Sequence, residues 1–292
     1  MRGGSSMELA RGKIKTYSSL VMFGHTLFAL PFAYLALFLA SGGLPEFNDF
    51  FWITIAMIGA RNGANAWNRV ADMKIDSKNP RTANRELPSG KVKMIEVLVL
   101  TIFCFLLLVL AAYNLDPISL KLLPLAVIFV VFYSYTKRFT WSCHFFLGAA
   151  CALAPLGTWI AIKGEISFGI IILSLIHALW VAGFDIIYAT QDYEFDLSNN
   201  VHSIPAKFGI KKALKIARAA HLVTVLLMFS LLLFFPLSWI YILGVIIVTS
   251  LLIYEHKLVS PEDLSQVKIA SYSINQIISP LLFIVAIIDL LI

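Results

Sequence analysis

Residues 94–113 read MIEVLVLTIFCFLLLVLAAY, a run of twenty in which Glu96 is the only charged residue. A helix of about 20 apolar residues is long enough to cross the hydrocarbon core of a bilayer. The rest of the chain is similar in character, because 59% of its 292 residues are hydrophobic and only 14% are charged. A soluble domain carries roughly 25% charged residues. The composition therefore predicts a membrane protein.

Apolar runs of similar length lie on both sides of this one. They show no sustained alternation with a period of two, and they are about twice as long as a transmembrane barrel strand. The nine predicted spans cover about 18–40, 49–67, 94–113, 118–135, 141–162, 166–190, 213–235, 237–254 and 270–291. We predict an all-α polytopic membrane bundle of nine transmembrane helices.

Positive charge is distributed unevenly between the two predicted faces. Twenty of the 23 Lys and Arg residues fall in the N-terminal segment or in loops that follow even-numbered spans. The exceptions are Arg61, Lys121 and Lys163. Because positive residues accumulate on the cytoplasmic side of a membrane, we expect that face and the N-terminus to be cytoplasmic.

A first polar stripe, Asn68, Asp72 and Asp76, stands at the end of the second predicted span. The spacing is i, i+4, i+8, which places the three side chains on one face of a helix that continues beyond the span. Ionisable groups near membrane depth are costly and usually functional. The stripe therefore marks a candidate site.

A second stripe, Tyr188, Asp192 and Asp196, repeats this spacing at the end of the sixth predicted span, with Asp185 one turn deeper. Since both spans are even-numbered, both stripes are predicted to emerge at the same face of the membrane. Charge pairing with headgroup-zone Lys and Arg explains one such stripe well and two matching stripes poorly.

A basic, turn-rich segment follows each stripe, over residues 78–91 and 198–208. This repeated order of span, stripe and basic cap predicts an internal duplication, with halves at 7–135 and 136–292 of a single domain. Residues 1–6, ahead of Met7, are expected to be a cloning remnant outside that domain. The six histidines show no ligand spacing.

Facing carboxylates suit Mg²⁺, which takes a few carboxylates, several waters and the phosphates of a substrate. The neighbouring Arg85 and Lys137 would complement a diphosphate. A cation transporter with a carboxylate site is the alternative of another class, but transporters usually bind near the bilayer midplane, and basic caps repel cations. A purely structural role does not need two stripes. An enzyme acting on a lipid diphosphate is the preferred interpretation.

The chain resembles the UbiA superfamily of intramembrane aromatic prenyltransferases. Both stripes carry the resemblance, together with four further segments: HTLFALP at 25–31, RTANRELPSG at 81–90, YSYTKR at 133–138 and GFDIIY at 183–188. Within the superfamily the sequence is most similar to the 4-hydroxybenzoate polyprenyltransferase branch. It also resembles members that use 1,4-dihydroxy-6-naphthoate in the futalosine route to menaquinone.

The resemblance implies a ring of helices around a central cavity, open laterally to lipid and capped on the cytoplasmic side of a bacterial or archaeal cell membrane. It implies a prenyl diphosphate and an aromatic acid as substrates, membrane lipid as surroundings and no nucleic acid as partner. It also implies Mg-assisted ionisation of the allylic diphosphate, followed by electrophilic substitution on the acceptor ring.

Residue by residue, the resemblance implies three groups of roles. Two Mg²⁺ ions would be held by Asn68, Asp72, Asp192 and Asp196, and Asp76 and Asp185 would assist them. The prenyl diphosphate would be held by Arg85 and Lys137, with Tyr133 and Tyr188 beside it. Arg61 would bind the carboxylate of the acceptor.

Overall fold

The computed structural model describes residues 13, 16–21 and 23–292, with backbone alone for residues 23–29. The expectations for residues 1–6 and for the side chain of His25 lie outside this range. Throughout the described residues the regular structure is helical and no strand is present. The predicted all-α class is confirmed for this part of the chain.

Nine helices of at least 16 residues form the described fold. They are α1 (Phe23–Ser41), α2 (Phe47–Asp76), α3 (Met94–Tyr113), α4 (Pro117–Phe132), α5 (Cys143–Lys163), α6 (Phe168–Ala189), α7 (Ile210–Ser230), α8 (Trp239–Lys257) and α9 (Asn275–Leu291). Short helical turns extend several of them, among them the 3-10 segment Tyr133–Arg138 after α4 and a π-helical segment, Ile269–Ser273, just before α9.

Seven of these helices, α3 to α9 with their short extensions, are long and apolar enough to cross a membrane. The two remaining predicted spans, α1 and α2, are not among these seven, so the predicted count of nine is not confirmed. Each has a separate reason. In α1 the apolar part within the described residues is the shorter stretch Leu30–Ser41. In α2 the second half is polar, because it carries Arg61, Arg69 and the whole first stripe.

The long helices close into a ring. Each helix packs against the next one along the chain, and α9 packs against α1. Helix α1 also crosses to α5, and apolar side chains of α1, α6, α8 and α9 share one large buried cluster. On the outside, large apolar side chains such as Leu106, Ile128 and Leu226 are about three-fifths exposed. That distribution suits a bundle surrounded by lipid, since lipid tails are as apolar as these side chains.

Close helix contacts depend on small residues. A Cβ added to Gly148 on α5 would lie 2.2 Å from the carbonyl oxygen of Ala178 on α6. The two backbones therefore approach one another closely at this position. This contact places the end of α6, and with it the second stripe, relative to the rest of the bundle.

Candidate functional site

The first stripe lies on one continuous helix. Helix α2 ends at Asp76 rather than near residue 67, so the predicted extension beyond the span is confirmed. Asn68 donates from Nδ2 to Asp72 Oδ2 at 3.0 Å and to Ser134 Oγ at 3.3 Å. Asp72 and Asp76 are only 3% and 4% exposed. Two carboxylates buried to this degree need cationic or hydrogen-bonding partners.

Asp72 receives its partners from the 3-10 segment Tyr133–Arg138. Lys137 Nζ lies 2.7 Å from Asp72 Oδ2, and Arg138 Nη1 lies 3.4 Å from Asp72 Oδ1. Arg138 also donates to the carbonyl oxygen of Ala71. Lys137 was predicted as a diphosphate ligand, whereas Arg138 was not predicted as a site residue.

Asp76 is paired with the other predicted diphosphate ligand. Arg85 Nη1 lies 2.7 Å from Asp76 Oδ2. In the same cap, Thr82 Oγ1 donates to the carbonyl oxygen of Asp76 at 3.1 Å. The segment after α2 therefore folds back over the stripe that precedes it.

The second stripe is not carried by one uninterrupted α-helix. Helix α6 ends at Ala189, a 3-10 turn covers Thr190–Asp192, and a short α-helix follows at Tyr193–Ser198. Asp196 is 7% exposed and accepts a hydrogen bond from Ser203 Oγ at 2.7 Å. The residues of the second stripe therefore do not lie on one continuous α-helix, contrary to what the i, i+4, i+8 spacing suggested.

Two residues of the first cap reach the second stripe. Asn79 Nδ2 donates to Asp192 Oδ1 at 2.8 Å, and Arg81 donates to both carboxylate oxygens of Asp192, at 2.9 and 2.5 Å. Arg81 also donates to Tyr188 Oη at 2.6 Å, and its guanidinium carbon lies 5.0 Å from the centre of the Tyr188 ring. The prediction that both stripes emerge at one face is thereby confirmed.

Electrostatics at Arg81 favour the charged form strongly. Burial alone lowers the pKa of its guanidinium, but the hydrogen bonds to Asp192 and Tyr188 raise that pKa above its ordinary value.

The second basic segment joins the same assembly, because the amide of His202 donates to the carbonyl oxygen of Lys137 at 2.7 Å. Both caps and both stripes thus form one charged assembly at one end of the bundle.

Asp185 is held by a histidine that the sequence did not single out. His144 Nδ1 lies 2.7 Å from Asp185 Oδ2, and the amide of Ile204 donates to His144 Nε2 at 3.3 Å. Because Nε2 accepts, the proton of a neutral ring sits on Nδ1 and points at the carboxylate. His144 therefore orients Asp185 beside the second stripe.

Arg61 lies two helical turns before Asn68, deeper in the bundle. Its Nη1 lies 3.7 Å from Cys151 Sγ, and its Nε is buried without a hydrogen-bond partner. Tyr133 and His177 are within electrostatic range of the guanidinium. A partly buried guanidinium with an unused, buried N–H is well suited to bind an anion.

Several contact residues of the assembly were absent from the predicted set, among them Asn79, Arg81, Arg138 and His144. Arg81 stands in the same quoted motif as Arg85, and Arg138 follows Lys137 directly. Adjacent or nearby cations in a loop cannot be ranked by spacing, because the loop conformation decides which one reaches the carboxylate.

The donor set fits a hard divalent cation, since carboxylate and amide oxygens are ligands that Mg²⁺ accepts. In the described part of the chain the stripes do not bring ligand atoms of three His, Cys, Asp or Glu residues within 4.8 Å of one another. A cation between them would need further oxygens from water or from the phosphates of a substrate. Such a mixed shell is the usual one for Mg²⁺.

Known proteins resemble this chain in sequence and in fold. The UbiA prenyltransferase family matches residues 29–277. A 4-hydroxybenzoate octaprenyltransferase from Vibrio campbellii is 31% identical over 228 residues, which is 77% of this chain and 78% of that protein. The apo structure of a UbiA homologue from Aeropyrum pernix K1 is 30% identical and superposes with a TM-score of 0.83, covering 92% of this chain and 98% of that one. A UbiA homologue from Archaeoglobus fulgidus bound to GPP and Mg²⁺ shares the fold at 20% identity and a TM-score of 0.72, covering 94% and 99%.

Proposed function

This chain belongs to the UbiA prenyltransferase family, and we propose that it transfers a polyprenyl group from its diphosphate to an aromatic acid such as 4-hydroxybenzoate in quinone biosynthesis. The single observation that carries the proposal is the bridge from Arg81 and Asn79 to Asp192. It joins two buried carboxylate stripes into one assembly lined with Arg and Lys. Acids to hold metal and bases to hold phosphate thus occur together.

Two Mg²⁺ ions are proposed to bind to side-chain oxygens of the stripes, those of Asn68, Asp72, Asp192 and Asp196. Asp76 and Asp185 would assist in holding the ions. When bound, Mg²⁺ supplies a Lewis acid that stabilises charge developing on the leaving diphosphate. The structural relative from Archaeoglobus fulgidus binds GPP together with Mg²⁺, which supports the use of a divalent metal with a prenyl diphosphate.

The cations of the caps are proposed to bind the diphosphate. Arg81, Arg85, Lys137 and Arg138 each lie within 3.4 Å of a stripe carboxylate. With those carboxylates holding metal, the same Arg and Lys side chains would donate to the phosphate oxygens, where charge develops in the transition state. Tyr188, which accepts from Arg81, and Tyr133 would stand beside the diphosphate.

Arg61 is proposed to bind the acceptor. A carboxylate placed against its guanidinium would accept from the unpartnered Nε and from a terminal nitrogen in the bidentate geometry that arginine favours. The acceptor ring would then attack the allylic cation through the carbon ortho to its hydroxyl and lose the proton of that carbon. A water-free pocket lined with aromatic side chains would delay capture of the cation by water.

The wider architecture is proposed as nine spans around a central cavity, α1 and α2 included, in a bacterial or archaeal cell membrane. The carboxylate end would face the cytoplasm, as would the N-terminus. Residues 7–292 would form one domain that arose by duplication, with halves at 7–135 and 136–292. In each half a long helix leads into a stripe, and a basic cap follows the stripe; this repeated order supports that division.

An acceptor screen tests the function. Purified protein in lipid is given geranyl diphosphate, Mg²⁺ and either 4-hydroxybenzoate or 1,4-dihydroxy-6-naphthoate, with EDTA as control. Prenylated 4-hydroxybenzoate that disappears with EDTA supports the proposal. Prenylation of the naphthoate alone assigns the protein to the futalosine route to menaquinone instead. No product with either acid, and no binding of the diphosphate, would favour the cation transporter.

A further inference from the structure

A second polar cluster lies away from the stripes, between α7 and α8. It consists of His221 on α7 and of Glu255 and His256 in the last turns of α8, and one ligand atom from each lies within 4.8 Å of the others. His221 Nδ1 is 3.0 Å from His256 Nε2 and 3.8 Å from Glu255 Oε1. The two histidines are 35 residues apart, so no spacing in the sequence indicates the cluster.

The tautomer of His221 follows from its other nitrogen. His221 Nε2 lies 3.1 Å from the carbonyl oxygen of Trp180, which can only accept a hydrogen bond. The proton of the neutral ring is therefore on Nε2, and the Nδ1 lone pair points into the cluster. A histidine whose far nitrogen donates to a backbone carbonyl is oriented as metal-ligating histidines are.

Glu255 is oriented in the same manner. Its side chain is 0% exposed, and its Oε2 accepts from Asn275 Nδ2 at 2.8 Å. Asn275 is fixed in turn, because its Oδ1 accepts from Trp180 Nε1 at 2.7 Å. The other oxygen, Glu255 Oε1, is buried without a hydrogen-bond partner and lies on the side of His221. An unsatisfied buried carboxylate oxygen of this kind is costly unless it binds something.

The backbone makes room for this arrangement. A Cβ added to Gly183 on α6 would lie 2.2 Å from His221 Nε2. Any residue larger than glycine would displace the imidazole from its place against α6. The site is thus built by four helices: α6 supplies the carbonyl and the space, α7 and α8 the ligand atoms, and α9 the asparagine.

We propose that His221 Nδ1, His256 Nε2 and Glu255 Oε1 bind a divalent transition metal of the zinc class. Two imidazole nitrogens and one carboxylate oxygen are a three-ligand set found in zinc sites that leave a fourth position to water. Metal binding replaces the hydrogen bond between the rings, and the proton of His256 moves to its Nδ1. That nitrogen has no hydrogen-bond partner at present.

The choice of metal separates this site from the stripes. Imidazole nitrogens suit zinc and related metals, whereas Mg²⁺ favours oxygen ligands. Helix α8 ends at Lys257, at the same end of the bundle as the stripes, and the side chain of His256 is partly exposed. A cation arriving at this end of the bundle would reach the cluster past His256. Bound there, it would tie α7 to α8 and, through Asn275, to α9.

Zinc titration of the purified full chain tests the proposal. Protein stripped with a chelator is titrated with Zn²⁺ against a chromophoric competitor, in excess Mg²⁺ so that the stripes do not take up zinc. We expect one zinc site per chain. Glu255→Gln keeps an acceptor for Asn275 but loses the anionic ligand, and it should weaken zinc binding at least about 100-fold, since loss of an outer-shell partner alone costs about 10- to 100-fold.

Glu262→Gln is the matched control, because Glu262 is exposed seven residues further on and the change is chemically identical. It should bind zinc as the unaltered protein does. His256→Gln is a second ligand variant whose side chain is less buried, so it answers the question if Glu255→Gln fails to fold. Substitution with Co²⁺ adds a readout of nitrogen ligation through its visible absorption. Equal zinc affinity in the unaltered protein and both ligand variants, or no zinc binding at all, would overturn the proposal.

Discussion

Arg81 and Asp192, which stand 111 residues apart in the sequence, form a two-pronged ion pair. Nε and Nη2 of the arginine each donate to a different oxygen of the carboxylate, at 2.9 and 2.5 Å. The remaining Nη1 donates to Tyr188. One side chain from the first half of the chain therefore joins two residues of the second half. This contact gives the proposed site its most specific test.

Arg81→Lys should reduce kcat/KM for the prenyl diphosphate. A lysine keeps the charge but cannot make the paired contacts of a guanidinium. Hydrogen bonds to charged groups contribute about 1.5–3 kcal/mol, which corresponds to roughly a 10- to 100-fold loss. Steady-state kinetics with Mg²⁺ measures the effect, and Arg218→Lys, outside the assembly, is the matched control. Equal kinetics in the two variants would contradict the assignment.

Asp72→Asn and Asp192→Asn should each lower turnover by at least about 100-fold, as expected when a preorganised electrostatic group of an active site is removed. Asparagine preserves the shape but removes the charge that balances metal. Glu194→Gln, an exposed acid in the short helix after Asp192, serves as the control. Near-normal turnover in either aspartate variant, with the fold intact, would argue against the two-metal arrangement.

Arg61→Ala should raise the KM of the aromatic acid more than the KM of the prenyl diphosphate. Its guanidinium lies apart from the stripes, beside Cys151, so its loss should affect one substrate selectively. Two series of initial rates, each with one substrate varied and the other saturating, separate the two constants. An equal rise in both KM values would remove the proposed role.

Gly148→Ala should lower the thermal stability of the bundle. The added methyl group would lie 2.2 Å from the backbone of α6, and overpacking of this kind costs about 1–3 kcal/mol. Gly157→Ala on the same helix is the control, because a Cβ there meets nothing within 4 Å. Thermal unfolding in detergent should show a lower midpoint for the first variant alone. Unchanged midpoints in both variants would contradict the prediction, because they would mean that α5 and α6 move apart to accept the methyl group without loss of stability.

Sequence periodicity predicted most of the helices because the bilayer sets both their length and their polarity. Helix α3 begins and ends where the apolar run does, at residues 94 and 113. Helix α2 shows the limit of this reasoning. Its polar half carries Arg61 and the first stripe, so hydropathy ends the span at 67 although the helix continues to Asp76. The i, i+4 spacing of Asn68, Asp72 and Asp76 correctly predicted the helical turns beyond residue 67, because that spacing places side chains on one face only in a helix.

The pairing of residues between loops was beyond sequence reasoning. Arg85 and Lys137 were predicted to bind a diphosphate, and in the structure they contact carboxylates of the first stripe. The contacts of Arg81 and His144 were not predicted. Likewise, nothing in the local sequence places His221 beside His256. These contacts depend on how α2, α6, α7 and α8 are arranged around the ring, and that arrangement is a property of the whole chain. The interruption at Thr190–Asp192 is also absent from the hydropathy pattern.

The closure of the ring by α9 against α1 has a consequence for biosynthesis. A ribosome delivers α9 after the other eight helices, so α1 must remain beside an open seam while α2 to α8 are synthesised. During that interval Glu255 and Trp180 lack the side chain of Asn275, to which both hydrogen-bond in the finished protein. Packing of α9 therefore closes the ring and supplies the hydrogen-bond partner of Glu255 and Trp180 in the same step. The ring is therefore complete only after α9 has been synthesised.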